Sequence, residues 1–236
     1  MKENNLWGSY ERMRPDQIER IQDKRPIAYL PWGALEYHSY HNPIGLDGIK
    51  AHSMCIDLAK RIGGVVLPPV YQASSTIKTY PGVDHKKHSL EFSEELLKML
   101  CTEYLEQLVD EDFKIIVILT GHAGEPHFEI LKSVVAKFNA KHPDRHFWAL
   151  AEFDVLSPDL LVANHSAIGE TSLQLHYAPE TVAMDKLPQD RPITLIQDGV
   201  SGDDPRNATK ELGQKIATTF IENASLHMNA LVEKYL

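Results

Sequence analysis

The chain has 236 residues, of which 43% are apolar and 24% charged, and its formal net charge is −9. These are ordinary values for a soluble globular protein of one large domain, and the acidic balance, without a basic cluster, argues against a nucleic-acid partner. The two cysteines, Cys55 and Cys101, fall inside apolar helical patterns and read as buried free thiols of a reducing compartment, not as a disulfide framework.

The first five residues are polar and no apolar signal core follows them. No apolar run approaches the ~20 residues that a membrane helix needs, so a cytoplasmic protein without a membrane segment is expected. Residues 1–25 are polar, with a short helix over 15–21 that carries little core. An apolar strand over 26–30 then runs into a loop that delivers Glu36, His38, His41 and Asp47. Glu36 and His38 are two apart, so in an extended segment they point to the same side. Asp47 returns after a turn marked by Asn42, Pro43 and Gly45. A strand end followed by a loop rich in carboxylates and imidazoles suits a divalent metal with nitrogen and oxygen ligands.

From 48 to 62 the spacing of Ile49, Met54, Ile56, Leu58, Ala59 and Ile62 predicts a helix, which Gly63 and Gly64 stop. Val65, Val66 and Leu67 form a short buried strand. Residues 68–89 read as a long loop, of the kind that often carries function, with His85 and His88 solvated. Ser89 is the expected cap of a helix bearing Phe92, Leu96, Leu97, Leu100, Tyr104 and Leu108 on one face.

Residues 113–119 give the clearest strand, and it ends at Thr120-Gly121-His122-Ala123-Gly124-Glu125. A helix with Phe128, Leu131, Val134, Val135 and Phe138 begins near Pro126. Open α/β sheets put their chemistry at the carboxyl ends of strands. His122 sits at such an end, between small residues that leave room for a ligand to approach the backbone. Residues 146–151 form a further strand, in which Trp148 packs. Residues 164–172 set His165 and Glu170 among small residues, and 179–205 is irregular and proline-rich. The last stretch, 208–236, is an amphipathic helix with Leu212, Ile216, Phe220, Leu226, Leu231 and Tyr235 recurring. Strands alternating with helices predict one α/β domain over 1–236, with a mostly parallel sheet and helices on both faces.

Four motifs and a fifth near the end, taken in order, resemble the creatininase (creatinine amidohydrolase) family from about residue 26 to 213. They are Glu36-x-His38-x-x-His41, Pro43-x-Gly45-x-Asp47, Thr120-Gly121-His122-x-Gly124 and His165-x4-Glu170-Thr171-Ser172, with Gly199-Val200-x-Gly202-Asp203 ahead of the last helix. The resemblance implies a three-layer α/β/α sandwich and a homohexamer. It also implies hydrolysis of a C–N bond in a small cyclic or linear amide by a water that two divalent metal ions activate. It assigns Glu36, His38, Asp47, His122 and Glu170 as metal ligands, with Asp47 bridging, and His165 as the acid/base. The mixed nitrogen and oxygen set suits Zn²⁺ or Mn²⁺. His41 either supports a ligand from behind or lines the substrate pocket, and the first of these is preferred.

The chain also departs from the family. True creatininases carry a ligand Glu two residues after the turn His, where this chain has Gly124. The Asn of the more general His-Gly-Gly-Asn pattern is Glu125 here, open to three readings: facing a metal, meeting a substrate amine, or capping the helix that follows. The usual Glu-Gln-His-Gly has become Glu36-Tyr37-His38-Ser39, and the tryptophans that flank creatinine have no evident counterpart. The rival readings are a formamide or aminopyrimidine amide as substrate in cofactor biosynthesis, a peptide bond in cofactor maturation, a metal-binding homologue without turnover, and an α/β protein without a metal that uses these residues for packing.

Overall fold

In the computed structural model, which describes residues 6–236, five strands form one parallel sheet. They are β1 (Trp7–Ser9), β2 (Ile27–Trp32), β3 (Gly64–Val66), β4 (Ile115–Thr120) and β5 (His146–Ala151), in the order β1-β3-β2-β4-β5. The helices are α1 (Pro15–Gln22), α2 (Leu46–Ile62), α3 (Glu94–Asp110), α4 (His127–Lys141), α5 (Ile168–Tyr177), α6 (Leu195–Asp198) and α7 (Lys210–Tyr235). The first five residues, read above as polar and without a signal core, lie outside the described residues. Among the described residues no helix is long and apolar enough to cross a membrane.

β2 and β4 are buried along their whole length because both faces of the sheet are covered. Their side chains alternate between two cores, as a period of two requires. Ile27, Tyr29, Ile115, Val117 and Leu119 pack with α2, α5 and α7. Ala28, Leu30, Trp32, Ile116 and Ile118 pack with α3 and α4. The result is the expected three-layer sandwich. Cys55 and Cys101 are buried and unpaired, one in each core.

Three local expectations are corrected. The 1–25 stretch hides an edge strand, Trp7–Ser9, paired with Gly64–Val66; three residues containing a Gly and a Ser show no periodicity. Helix α3 is capped by Ser93, whose hydroxyl accepts from the Leu96 N–H at 3.2 Å, while the Ser89 hydroxyl accepts from the Tyr37 N–H at 3.0 Å. On α7 Leu226 is 72% exposed, and the buried stripe runs Ile216, Phe220, Ala224, Met228 and Leu231, so small Ala224 and flexible Met228 carry the stripe past Leu226.

The 68–89 loop is tied down over the carboxyl edge of the sheet. Val70 bridges to Trp32, and Leu90 and Glu91 to Leu35 and Ala73. The Glu91 carboxylate accepts from the Thr76 N–H and hydroxyl, each at 2.7 Å, and from the Thr79 hydroxyl at 2.8 Å.

Candidate metal centre

Neighbouring β2 and β4 end together, with Trp32 beside Thr120. The strand order turns outward on both sides of this pair, which is where open sheets leave a crevice. Each strand is followed by a glycine. A Cβ on Gly33 would lie 2.2 Å from the Gly48 nitrogen, and one on Gly121 would lie 2.2 Å from the Asp47 carbonyl oxygen. The first turn of α2 is thus seated directly on both strand ends. Gly121 makes room for the Asp47 backbone and not, as expected, for a ligand.

That seating puts Asp47 between the products of the two strand ends. Its Oδ1 lies 3.2 Å from His38 Nε2, and its Oδ2 lies 3.4 Å from His122 Nδ1. His122 Nδ1 is also 3.0 Å from Glu36 Oε2, and His38 Nε2 is 3.8 Å from Glu170 Oε2. All five side chains are buried. Each imidazole is fixed from behind: His38 Nδ1–H donates to the Glu36 carbonyl at 3.0 Å, and His122 Nε2–H donates to the Ser74 carbonyl at 3.1 Å. With those protons in place, the nitrogens facing the carboxylates carry lone pairs in the neutral rings. Lone pairs on both sides demand a cation between them.

Glu36 Oε2, His38 Nε2 and Asp47 Oδ2 are buried without a hydrogen-bond partner, the signature of groups waiting for a ligand. Ligands about 2.1 Å from a tetrahedral ion sit roughly 3.4 Å from one another, and the 3.0–3.8 Å separations match that spacing. The donor atoms group as Glu36, Asp47 and His122, as His38, Asp47 and Glu170, and as Glu36, His38 and His165; the first two groups share Asp47. Without an ion, protons take that place. Burial opposes the charge on His38, but Asp47, then Glu170 and Glu36, outweigh it and raise its pKa to about 9. On His122 burial is likewise outweighed, chiefly by Glu36 and Asp47, and its pKa is held well above the ordinary value. Glu36 and Asp47 are correspondingly lowered by the facing imidazoles despite their burial.

His165 stands beside this cluster. Its ring stacks on His38 at 4.4 Å, and Nε2–H donates to the Tyr37 carbonyl at 2.8 Å, leaving Nδ1 as the acceptor. Burial, opposed by Glu36 but joined by the charge on His38, lowers its pKa, which favours the neutral ring. A backbone bridge to Ser201 and a hydrogen bond from Ile168 N–H to the Asp203 carbonyl hold its loop, which is what the 199–203 motif does. His41 touches none of the five. Its Nε2 lies 2.9 Å from Thr171 Oγ1, next to Glu170, and Asn42 donates to the same Thr171 hydroxyl at 2.9 Å. Burial, reinforced by His38, drops the His41 pKa to about 4. Glu125 is exposed and belongs to none of the clusters. Gly124 admits no side chain, since a Cβ there would lie 2.3 Å from the Ser75 carbonyl oxygen and 2.9 Å from His122 Nε2. His85 is not the solvated residue expected: it stacks on Tyr37 at 4.8 Å, while His88 is exposed.

Sequence reasoning missed three buried groups. Lys50, one turn after Asp47 on α2, places its ammonium 2.5 Å from both Glu152 and Glu170. Burial would strip its proton, but Glu152 and Glu170 outweigh that and raise its pKa. A lysine four residues after Leu46 and four before Met54, on the buried stripe of the helix, was the available signal. His127, at the start of α4, meets His122 edge-on at 4.9 Å and accepts from the Ser74 N–H at 3.4 Å. Above the cluster a cavity of about 210 Å³ opens, walled by Ile77, Tyr80, Leu195, Asn164, His165 and Ser201. Beyond the cluster itself its lining contains no carboxylate, lysine or arginine.

A family model for creatininase, creatinine amidohydrolase, matches residues 11–226. The creatinine amidohydrolase of Pseudomonas putida is 22% identical over 204 residues, covering 80% of this chain and 76% of that protein. The mycofactocin precursor peptide peptidase of Mycolicibacterium smegmatis is 27% identical over 169 residues, covering 69% of this chain and 62% of that protein, somewhat less than two thirds. A crystal structure of creatinine amidohydrolase superposes with a TM-score of 0.79 at 18% identity over 98% of each chain. A mutant creatininase of Zn–Zn type and a Mn creatininase superpose with TM-scores of 0.77 at 18% and 20% identity, each over 98% of this chain.

Proposed function

This chain belongs to the creatininase family, and we propose that it is a metal-dependent hydrolase that cleaves the C–N bond of a small, uncharged amide at a pair of divalent ions. The observation that carries the reading is the double role of Asp47, whose two oxygens face two differently placed imidazoles. Glu36, Asp47 and His122 would hold one ion, and His38, Asp47 and Glu170 the other. Both Zn²⁺ and Mn²⁺ suit these nitrogen and oxygen donors, and relatives of both kinds exist. We extend the family likeness to one domain over 1–236, to a cytoplasmic location and to a homohexamer, which light scattering would test.

When bound, the ions lower the pKa of water toward neutrality and supply positive charge against the oxyanion that develops on the amide. The chain's own residues do the rest. His165, neutral and with Nε2–H committed to the Tyr37 carbonyl, offers Nδ1 to take the proton of the attacking water and pass it to the leaving nitrogen. That nitrogen is too basic to depart unprotonated. Asn164 and Ser201 give the cavity wall hydrogen-bonding groups, and Ile77 and Leu195 give it apolar surface. The absence of a charged residue in the wall beyond the cluster supports an uncharged substrate.

A peptide amide is the second reading, supported by the likeness to the mycofactocin precursor peptide peptidase. Elemental analysis of protein purified without chelator or metal-affinity tag tests the centre. About two Zn or Mn per chain are expected, and none, with none taken up on addition, overturns the reading. A screen of creatinine-like lactams, formamides and short peptides on the loaded protein then separates the substrates. Two bound ions with no turnover across that screen would leave a metal-binding homologue.

A further inference from the structure

Lys50 is the only buried lysine among the described residues, and it does not line the cavity. Its ammonium donates at 2.5 Å to Glu152 Oε1 and at 2.5 Å to Glu170 Oε1, and it lies 4.0 Å from Asp47 Oδ1. The other oxygen of Glu170, Oε2, accepts from the Ser166 N–H at 2.6 Å and faces His38 Nε2 at 3.8 Å. Glu152, immediately after β5, is 5% exposed and grips the ammonium from the far side. Lys50, Glu152 and Glu170 come from α2, the end of β5 and α5, so three elements meet at one ammonium.

We propose that Lys50 is a positioning residue of the metal centre: anchored by Glu152, it holds Glu170 Oε1 so that Oε2 alone is presented beside His38 and Asp47. The assignment rests on the metal-centre reading above. A carboxylate can bind a cation with one oxygen or with both; a donor fixed on Oε1 leaves one. Lys50 also offsets charge. Glu36, Asp47, Glu152 and Glu170 with Lys50 leave this buried group three charges negative, which two divalent ions more than balance. Charges taken out of water persist only when paired in this way. Glu36 and His122 make no contact with Lys50, and its approach to Asp47 is to Oδ1, the oxygen that faces His38, so the influence falls chiefly on the half built from His38 and Glu170.

The test is a titration of metal-free protein with Zn²⁺ against a chromophoric chelator, resolving two binding constants, on wild type and on Lys50→Met/Glu152→Met. The double substitution removes one charge of each sign and fills the space with apolar groups of similar length, a change that folded proteins tolerate far better than loss of one partner. One constant is expected to weaken by about 10–100-fold, the usual cost of removing a group that orients a ligand, and the other to change by less than about threefold. Two unchanged constants overturn the assignment, and so does an equal fall in both, which marks a merely structural effect. A crystal structure of the zinc-loaded wild type gives a reading that needs no variant. Glu170 should coordinate through Oε2 with Oε1 still on Lys50, and coordination through Oε1 or both oxygens overturns the assignment. Wild type that takes up no zinc overturns the metal-centre reading and this assignment with it, whereas two ions bound equally well by both proteins overturns this assignment alone.

Discussion

Asp47 faces His38 with one carboxylate oxygen and His122 with the other, at 3.2 Å and 3.4 Å, while each ring is anchored by a backbone carbonyl on its far side. Neither ring can turn away without losing its anchor. Asp47→Ala should therefore lose both ions, whereas His122→Ala and Glu170→Gln should each lose one. Elemental analysis of the three variants checks this, and an Asp47→Ala protein with full metal content removes the bridging role.

Protons and metal compete for the same nitrogens. The folded, metal-free protein holds His38 at about pKa 9, above the ~6.5 of an unfolded chain. A raised pKa means that the folded state binds the proton more tightly. The stabilisation is therefore complete below about pH 6.5 and disappears as pH rises through about 9. The difference is of order 3 kcal/mol. Chemical denaturation of chelated protein should show stability falling across this window, and the metal-loaded protein should not follow it. Zinc uptake at neutral pH should release protons, visible in calorimetry as a heat that depends on the buffer.

His165→Asn should keep both ions and lower turnover of an identified amide by about 10²–10⁴-fold, the range for a positioned acid/base. Steady-state kinetics with metal content measured on the same sample checks it. Loss of metal in the variant would mean that His165 holds the centre together.

Ser39 follows His38 with φ of +60°, in the left-handed region that favours glycine. This is the position where the family's usual motif has glycine. Ser39→Gly should relieve about 1 kcal/mol of backbone strain, partly offset by glycine's freedom in the unfolded chain. A small rise in Tm is expected, and a fall would show that the serine side chain contributes more than the strain costs.

What the sequence could reveal divides along a physical line. The layers of the fold follow from hydrophobic periodicity, which is local, and five proposed ligands stand at strand ends or helix starts where short motifs mark them. Lys50 and Glu152 are 102 residues apart, and only tertiary packing makes a charged pair of them. Glu125 stands where the family has Asn, yet its position just before α4 turns it outward. His85 reads as solvated in a charged loop, and its partner Tyr37 lies far from it in the chain, at no fixed spacing. Ser89 and Ser93 are both plausible caps by composition, and the exact start of α3 chose between them.

The seating of α5 against α2 has a bearing on how the chain comes together. The His38–Glu170 and Lys50–Glu170 contacts each close a span of more than a hundred residues, and α7 lies against both helices. An ion held there would act as a removable cross-link between stretches of the polypeptide that lie far apart in sequence. It can form only after those stretches have met, so it cannot guide early folding. Once formed, it binds the folded state alone and deepens that state by mass action. The metal would then set how long the assembled chain stays closed, and the order of its assembly would be left to the sheet.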